Sequence, residues 1–151
     1  MADVKKGIIL KGIGGLYFVE TADTVFECKA RGIFRKSGQK PLVGDEVGIL
    51  IGEDGANNTI EKIYPRRSDL MRPPVANLDR LFILSSVRDP NPSTLIIDKM
   101  TAIACWKNIE PVIVITKDDL GDTSELRGIY EKAGIPFFSV SSRDGRGADE
   151  V

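Results

Sequence analysis

Histidine is absent from the 151 residues, and cysteine occurs only twice, at Cys28 and Cys105. Without imidazole there is no His-based nucleophile, base and orienter set. Two distant thiols make neither a disulfide framework nor a zinc site, so no metal ligands are expected here. A reducing, cytoplasmic compartment is the expectation that follows. Long apolar runs are missing as well. None approaches the ~20 residues that span a bilayer, and no membrane partner is expected. Met1-Ala2-Asp3-Val4-Lys5-Lys6 has no apolar core behind its charges and does not read as a signal peptide. The chain also lacks a dominant charge, at a net −1, but the charge is unevenly spread. Residues 1–74 carry a net +2 and residues 75–151 a net −3. Lys29, Arg31, Arg35, Lys36 and Lys40 fall within one stretch that holds no acid. Attraction to phosphate acts at short range in salt, so a local cluster says more than the overall balance. Taken alone, the cluster is equally a solvated loop.

The first half is a series of short runs rich in β-branched and aromatic residues. They are Gly7–Lys11, Leu16–Glu20, Thr24–Lys29, Asp45–Ile51 and Asn58–Tyr64. Gly12-Ile13-Gly14-Gly15, Pro41–Asp45 and Gly52-Glu53-Asp54-Gly55 punctuate them. Five strands with no helical stretch suit a small barrel that leaves no edge, of OB or SH3-like type. Gly12–Gly15 lacks the spacing of a dinucleotide loop and opens no helix; it reads as a hairpin turn.

Three prolines and three arginines fall between Pro65 and Pro74, which reads as a stiff connector. The expected organisation is a barrel over 1–64, a linker over 65–77 and a second domain over 78–151. The second half alternates strand and helix. Leu81-Phe82-Ile83-Leu84 and Val112-Ile113-Val114-Ile115 are continuous apolar runs, as in parallel strands covered on both faces. Ser93 or Thr94 opens a helix in which Ile96, Met100, Ile103 and Ala104 recur at helical spacing, with Trp106 packing at its end. A second helix starts at Asp122, Thr123 or Ser124 and ends at Gly134, and Ile135–Val140 is a third strand. This is half of a doubly wound α/β sheet, whose ligands sit beyond the carboxyl ends of the strands.

Two loops lie at those ends, Thr116-Lys117-Asp118-Asp119 and Ser141-Ser142-Arg143, about 22 residues apart. The first is similar to the Asn-Lys-x-Asp motif that reads guanine in GTPases, with threonine in place of asparagine. The second is similar to its companion Ser-Ala-Lys loop. Guanine presents a ring N–H and an amine side by side, and the Asp119 carboxylate can accept both. Adenine sets a lone pair against the same carboxylate, and such sites discriminate by about 10⁴-fold. The Lys117 stem is expected over the base with its ammonium in water. The Ser142 backbone N–H is expected to face the guanine carbonyl, with the Ser141 hydroxyl bracing the loop. Thr116 keeps an oxygen but loses an amide donor. Either loop alone is more often a helix-capping turn; their order and placement after parallel strands favour the base-reading role.

No Gly-x-x-x-x-Gly-Lys-Ser/Thr phosphate loop occurs in the chain. Asp144-Gly145-Arg146-Gly147 matches a magnesium-binding Asp-x-x-Gly pattern, but it follows the base loop and reads as coincidence. Base-reading loops that precede any phosphate loop imply circular permutation. With Gly32–Lys36, Pro41–Asp45, Arg72–Asp79 and Pro111–Leu120, the chain resembles the ribosome small-subunit-dependent GTPase A family over essentially its whole length. The resemblance implies an OB-type five-stranded barrel followed by a partial, circularly permuted α/β domain of the P-loop GTPase kind. It implies GTP or GDP with Mg²⁺ as ligands, and GTP hydrolysis stimulated by the small ribosomal subunit during its maturation. It also implies a zinc-binding C-terminal domain, for which these residues hold no ligands. Lacking catalytic residues and a phosphate loop, these residues alone are expected neither to hydrolyse GTP nor to bind it tightly.

The resemblance gives the basic stretch a partner in ribosomal RNA. Lys29, Arg31, Arg35 and Lys36 would meet phosphates, and Phe34 would stack on an unpaired base for about 1–3 kcal/mol. Phe34 as a plug of the barrel end is the equal alternative. A monomer is expected. The main rival is a non-enzymatic RNA-binding module with an α/β scaffold; a small-molecule α/β enzyme is a third. A coding sequence that runs on into Gly-x-x-x-x-Gly-Lys-Ser would favour the GTPase, and a stop after Val151 the module.

Overall fold

The computed structural model describes residues 4–36, 38–52 and 57–151, with the side chains of Arg35 and Lys36 also outside the description. Most of the expected turn Gly52–Gly55 therefore lies outside the described residues. The chain forms two compact units, Met1–Leu78 and Asp79–Val151.

In the first unit, β1 (Val4–Ile13), β2 (Leu16–Glu20), β3 (Val25–Ala30), β4 (Glu46–Leu50) and β5 (Asn58–Ile63) close a barrel in the order β1-β2-β3-β5-β4. β3 and β5 run parallel, while β1 pairs antiparallel with both β2 and β4. This is the OB-type arrangement rather than the SH3-like one. The ten-residue β1 serves both neighbours, giving Val4–Ile8 to β4 and Ile8–Ile13 to β2, with a bulge near Ile9. Period-two alternation turns Ile9 inward at 1% exposure, while Ile8 and Leu10 face out. Ile9, Val19, Cys28, Val47, Ile49 and Ile60 fill the interior. Each buried isoleucine contributes roughly 1.5–3 kcal/mol. Gly14 and Gly15, at φ 58° and 89°, join β1 to β2 as the two-residue hairpin turn that positive φ at both positions requires. The expectation of no helix in this half is corrected by a single turn, α1 (Gly32–Lys36).

The segment expected as a stiff connector is instead a hairpin fastened to the barrel. β6 (Asp69–Met71) pairs with β7 (Pro74–Ala76), and Val75 bridges Val43. Asn77 accepts from the Arg67 backbone N–H at 2.9 Å and donates to the Gly44 carbonyl at 2.9 Å. Arg66 forks onto both oxygens of the fully buried Asp45, at 2.7 and 2.8 Å. Prolines stiffen a segment, but these polar groups decide where it lies.

In the second unit, β8 (Arg80–Ser86), β9 (Glu110–Thr116) and β10 (Phe137–Val140) form a parallel sheet in the order β10-β9-β8. α2 (Thr94–Trp106) and α3 (Ser124–Lys132) are its crossover helices. β9 is central, and Val112 through Ile115 are all buried. β8 departs from the expectation of cover on both faces. Ile83 is buried, but Phe82 is 43% and Leu84 66% exposed, because β8 is an edge strand with one face open. α2 is turned part-way from its expected face: Ala104 is buried and Met100 packs on the core, joined by the buried Ile97 and Thr101, whereas Ile96, Ile103 and Trp106 are exposed. At α3 the working cap is Asp122, whose carboxylate accepts the Ser124 backbone N–H at 2.9 Å and its hydroxyl at 2.8 Å. Those two bonds hold the Asp122 carboxyl below its ordinary pKa.

Candidate functional site

The strand register brings the carboxyl ends of the sheet to one level. Ser86 and Val140 both lie opposite Thr116. The loops that follow β8, β9 and β10 therefore start side by side. Thr116 donates its hydroxyl to the Ser85 carbonyl at 3.1 Å, tying the end of β9 to β8. Lys117 then turns through the left-handed region at φ 60°, and a 3₁₀ turn carries Asp118–Leu120.

This turn aims Asp119 at the neighbouring loop. Its Oδ1 accepts the Ser141 hydroxyl at 3.0 Å, and Ser141 is 1% exposed. The Asp119 side chain is 18% exposed, and its Oδ2 has the Arg143 guanidinium at 3.8 Å, beyond hydrogen-bond range. Arg143 itself is 81% exposed. One carboxylate oxygen is thus braced by a buried hydroxyl and the other is met only loosely, a disposition suited to accepting donors from a ligand edge. Ser142 is exposed in the turn that follows.

Lys117 has partners that were not expected. Its ammonium, at an exposed place, donates to the Arg88 carbonyl at 3.2 Å and to the Asp89 carbonyl. The stem is thereby stretched along the rim between the loops after β8 and β9. A sequence pattern does not reveal this, because the acceptors are backbone oxygens some 28 residues away. Sequence reasoning placed Thr123 only as a possible helix start, whereas its hydroxyl sits 2.9 Å from that of Ser139 and 3.4 Å from Asp118. It missed the role of Arg146, whose guanidinium lies 3.3 Å from Asp118 and 3.0 Å from Asp144.

The residues expected to meet RNA are not gathered in this way. Lys29 is exposed on β3. Arg31 is 57% exposed and paired with Glu61. Phe34 is only 8% exposed and packs in the barrel core, where a base cannot stack on it from solvent; its place is that of a plug. The side chains of Arg35 and Lys36 lie outside the described residues. A cavity of about 720 Å³ opens at this end of the barrel beside Gly14, Tyr17, Phe34 and Lys40.

The set can accept a pair of donors, through the Asp119 carboxylate held by Ser141. It does not fit zinc, since there is no histidine and the two cysteines, one buried and one exposed, lie in different units.

Comparison with known proteins gives a consistent result. Residues 6–57 match the family model of the RsgA N-terminal domain, and residues 63–151 match that of the RsgA GTPase. The small ribosomal subunit biogenesis GTPase RsgA of Alkaliphilus metalliredigens is 42% identical over 98% of this chain and 52% of its own length. Its counterpart in Ruminiclostridium cellulolyticum is 43% identical over 90% of this chain and 46% of its own length. Among solved structures, YjeQ from Thermotoga maritima superposes with a TM-score of 0.81 at 32% identity, over 98% of this chain and 55% of that one. YloQ, a circularly permuted GTPase, gives 0.80 at 30% identity, over 93% and 53%. The chain spans about half the length of the relatives it matches.

Proposed function

This chain belongs to the RsgA family of GTPases, and on that premise we propose that it carries the guanine-reading half of a GTP hydrolase that acts in maturation of the small ribosomal subunit. The observation that carries the reading is the Asp119 carboxylate braced by Ser141 at the carboxyl ends of adjacent parallel strands. Asp119 would accept the ring N–H and amine of guanine. The Ser142 backbone N–H would take the guanine carbonyl, and the Lys117 stem would lie along the base with its ammonium anchored on Arg88 and Asp89. Thr116 would hold the strand end rather than touch the ligand.

The phosphates and Mg²⁺ supply most of the affinity for a nucleotide through a phosphate loop, and no such motif occurs in these residues. The 151 residues alone would therefore bind GTP or GDP weakly and release no phosphate. In the barrel, Lys29 and Arg31, with Arg35 and Lys36, would contact ribosomal RNA through its phosphates, with Phe34 supporting the surface from inside. A cytoplasmic monomer in contact with the small subunit completes the reading.

Isothermal titration of the 151-residue protein with GTP and Mg²⁺, followed by a phosphate-release assay, tests the first part. We expect a dissociation constant well above micromolar and no turnover. Sub-micromolar binding or measurable hydrolysis would overturn the division of labour proposed here.

A further inference from the structure

The match of Asp144-Gly145-Arg146-Gly147 to a magnesium pattern is coincidental, yet in the fold these residues do specific work. The Ser141 backbone N–H donates to the Arg146 carbonyl at 3.0 Å, and the Gly145 N–H returns a bond to the Ser141 carbonyl at 2.9 Å. Residues 141–146 are thus a closed loop rather than a trailing segment. Gly147, at φ 72°, brings the backbone so close to β10 that a Cβ there would lie 2.2 Å from the Ser139 carbonyl oxygen. Only glycine passes there, and the passage turns the loop back on itself.

This path delivers the Arg146 side chain to the first loop. One terminal nitrogen lies 3.3 Å from Oδ2 of Asp118 and the other 3.0 Å from Oδ2 of Asp144. Its own backbone N–H meets Oδ1 of Asp144 at 3.2 Å. Asp118 is 17% exposed, and its second oxygen takes the Thr123 hydroxyl at 3.4 Å. Two adjacent acids of the first loop are therefore each tied to the second loop, Asp119 to Ser141 and Asp118 to Arg146. One tie fixes a distance; two fix an orientation.

We propose that Arg146 is a positioning residue for base recognition: by spanning Asp118 and Asp144 it holds the two loops at the spacing where the Asp119 carboxylate and the Ser141–Ser142 turn meet the same guanine. The proposal rests on the guanine reading above and adds the residue that sets its geometry. Arg146 is 60% exposed, so each ion pair is individually weak and the fold does not depend on it. What depends on it is alignment. A planar, two-pronged guanidinium suits this bridge, and a lysine, a compact charge on a flexible stem, lacks the fixed fork that sets both bonds at once.

The test uses the 151-residue protein titrated with guanosine, inosine and adenosine, with binding followed by amide chemical shifts. Inosine lacks the exocyclic amine, so the guanosine-to-inosine ratio reports how well the Asp119 carboxylate is aligned. Arg146→Gln should weaken guanosine about threefold to tenfold, the range expected for losing two exposed ion pairs, and shrink that ratio. Asp118→Asn should do the same, and the double variant should be no worse than either single one. Arg146→Lys should restore little. The melting temperature should move by no more than a degree or two in each. A loss that falls equally on all three nucleosides would assign Arg146 a merely structural role and overturn the proposal. An unchanged guanosine-to-inosine ratio in Arg146→Gln and Asp118→Asn would also overturn it while leaving the guanine reading intact. A wild-type protein with no preference for guanosine would overturn both.

Discussion

The two units bury their apolar residues by different means. In the barrel each strand has two partners, so no backbone edge is left, and the outward aliphatics alternate singly with buried ones. In the α/β unit the sheet stops at β8 and β10, and β8 shows both an open edge and an uncovered apolar face at Phe82 and Leu84. α2 adds Leu95, Ile96 and Trp106, exposed at 62%, 60% and 78%. A closed sheet completes its own hydrogen bonding, whereas a three-stranded open sheet completes only its middle strand. The lesson is that the unit with the proposed base-reading loops is the less self-sufficient of the two. Its functional geometry depends on side-chain ties between loops more than on a deep core.

Separating the units breaks this comparison most severely. A polypeptide of residues 1–78 should unfold cooperatively, while residues 79–151 should show weak cooperativity and bind a hydrophobic dye. Equal cooperativity by calorimetry would contradict the contrast. Next in size, Arg66→Met should cost about 3–5 kcal/mol, because it strands the fully buried Asp45 carboxylate. Arg80→Met, which removes a partner of the half-exposed Glu110, should leave stability nearly unchanged. Urea titrations of both variants give the difference directly. Ile49→Ala should cost about 2–5 kcal/mol, whereas Leu84→Ala, on the open face of β8, should stay within about 1 kcal/mol.

The smallest effect concerns the thiols. Burial pushes the Cys28 thiol up to about 11, while Cys105 is exposed in the other unit. At pH 8 a maleimide should label Cys105 at once and Cys28 only on the timescale of barrel opening. The sign of the pH dependence follows. The unfolded thiol ionises near pH 8.5 and the folded one near 11, so the barrel loses stability as pH rises between those values. Cys28→Ala should remove that part of the alkaline decline.

These contrasts also mark what the sequence made legible. The strands of the barrel showed through because alternation and glycine punctuation are local signals, and Val112–Ile115 showed through as a run too apolar for any surface. The face of α2 showed through only in part. Met100 and Ala104 do pack inward, but Ile96 and Ile103 satisfy a helical period as well as Ile97 and Thr101 do, and only the sheet decides between them. The hairpin over 65–77 was hidden behind prolines, because its placement is set by Arg66, Asn77 and Gly44, which meet across about 10 to 33 residues. In the site, Asp119 and Ser141 were readable from motif chemistry. The anchoring of Lys117 on backbone carbonyls and the span of Arg146 were not, since neither has a spacing rule. Phe34 stood equally for a stacking surface and a plug, and burial answers that question for the plug.

The central claim is that a carboxylate at position 119 reads guanine, and nucleoside selectivity in the wild type and in Asp119→Asn tests it most directly. Titration with guanosine should shift the amides of Lys117–Leu120 and Ser141–Arg143, and adenosine at the same concentration should leave them in place. Asp119→Asn should abolish the difference without unfolding the sheet. Equal shifts from both nucleosides, or a guanosine preference that survives in Asp119→Asn, would contradict the account.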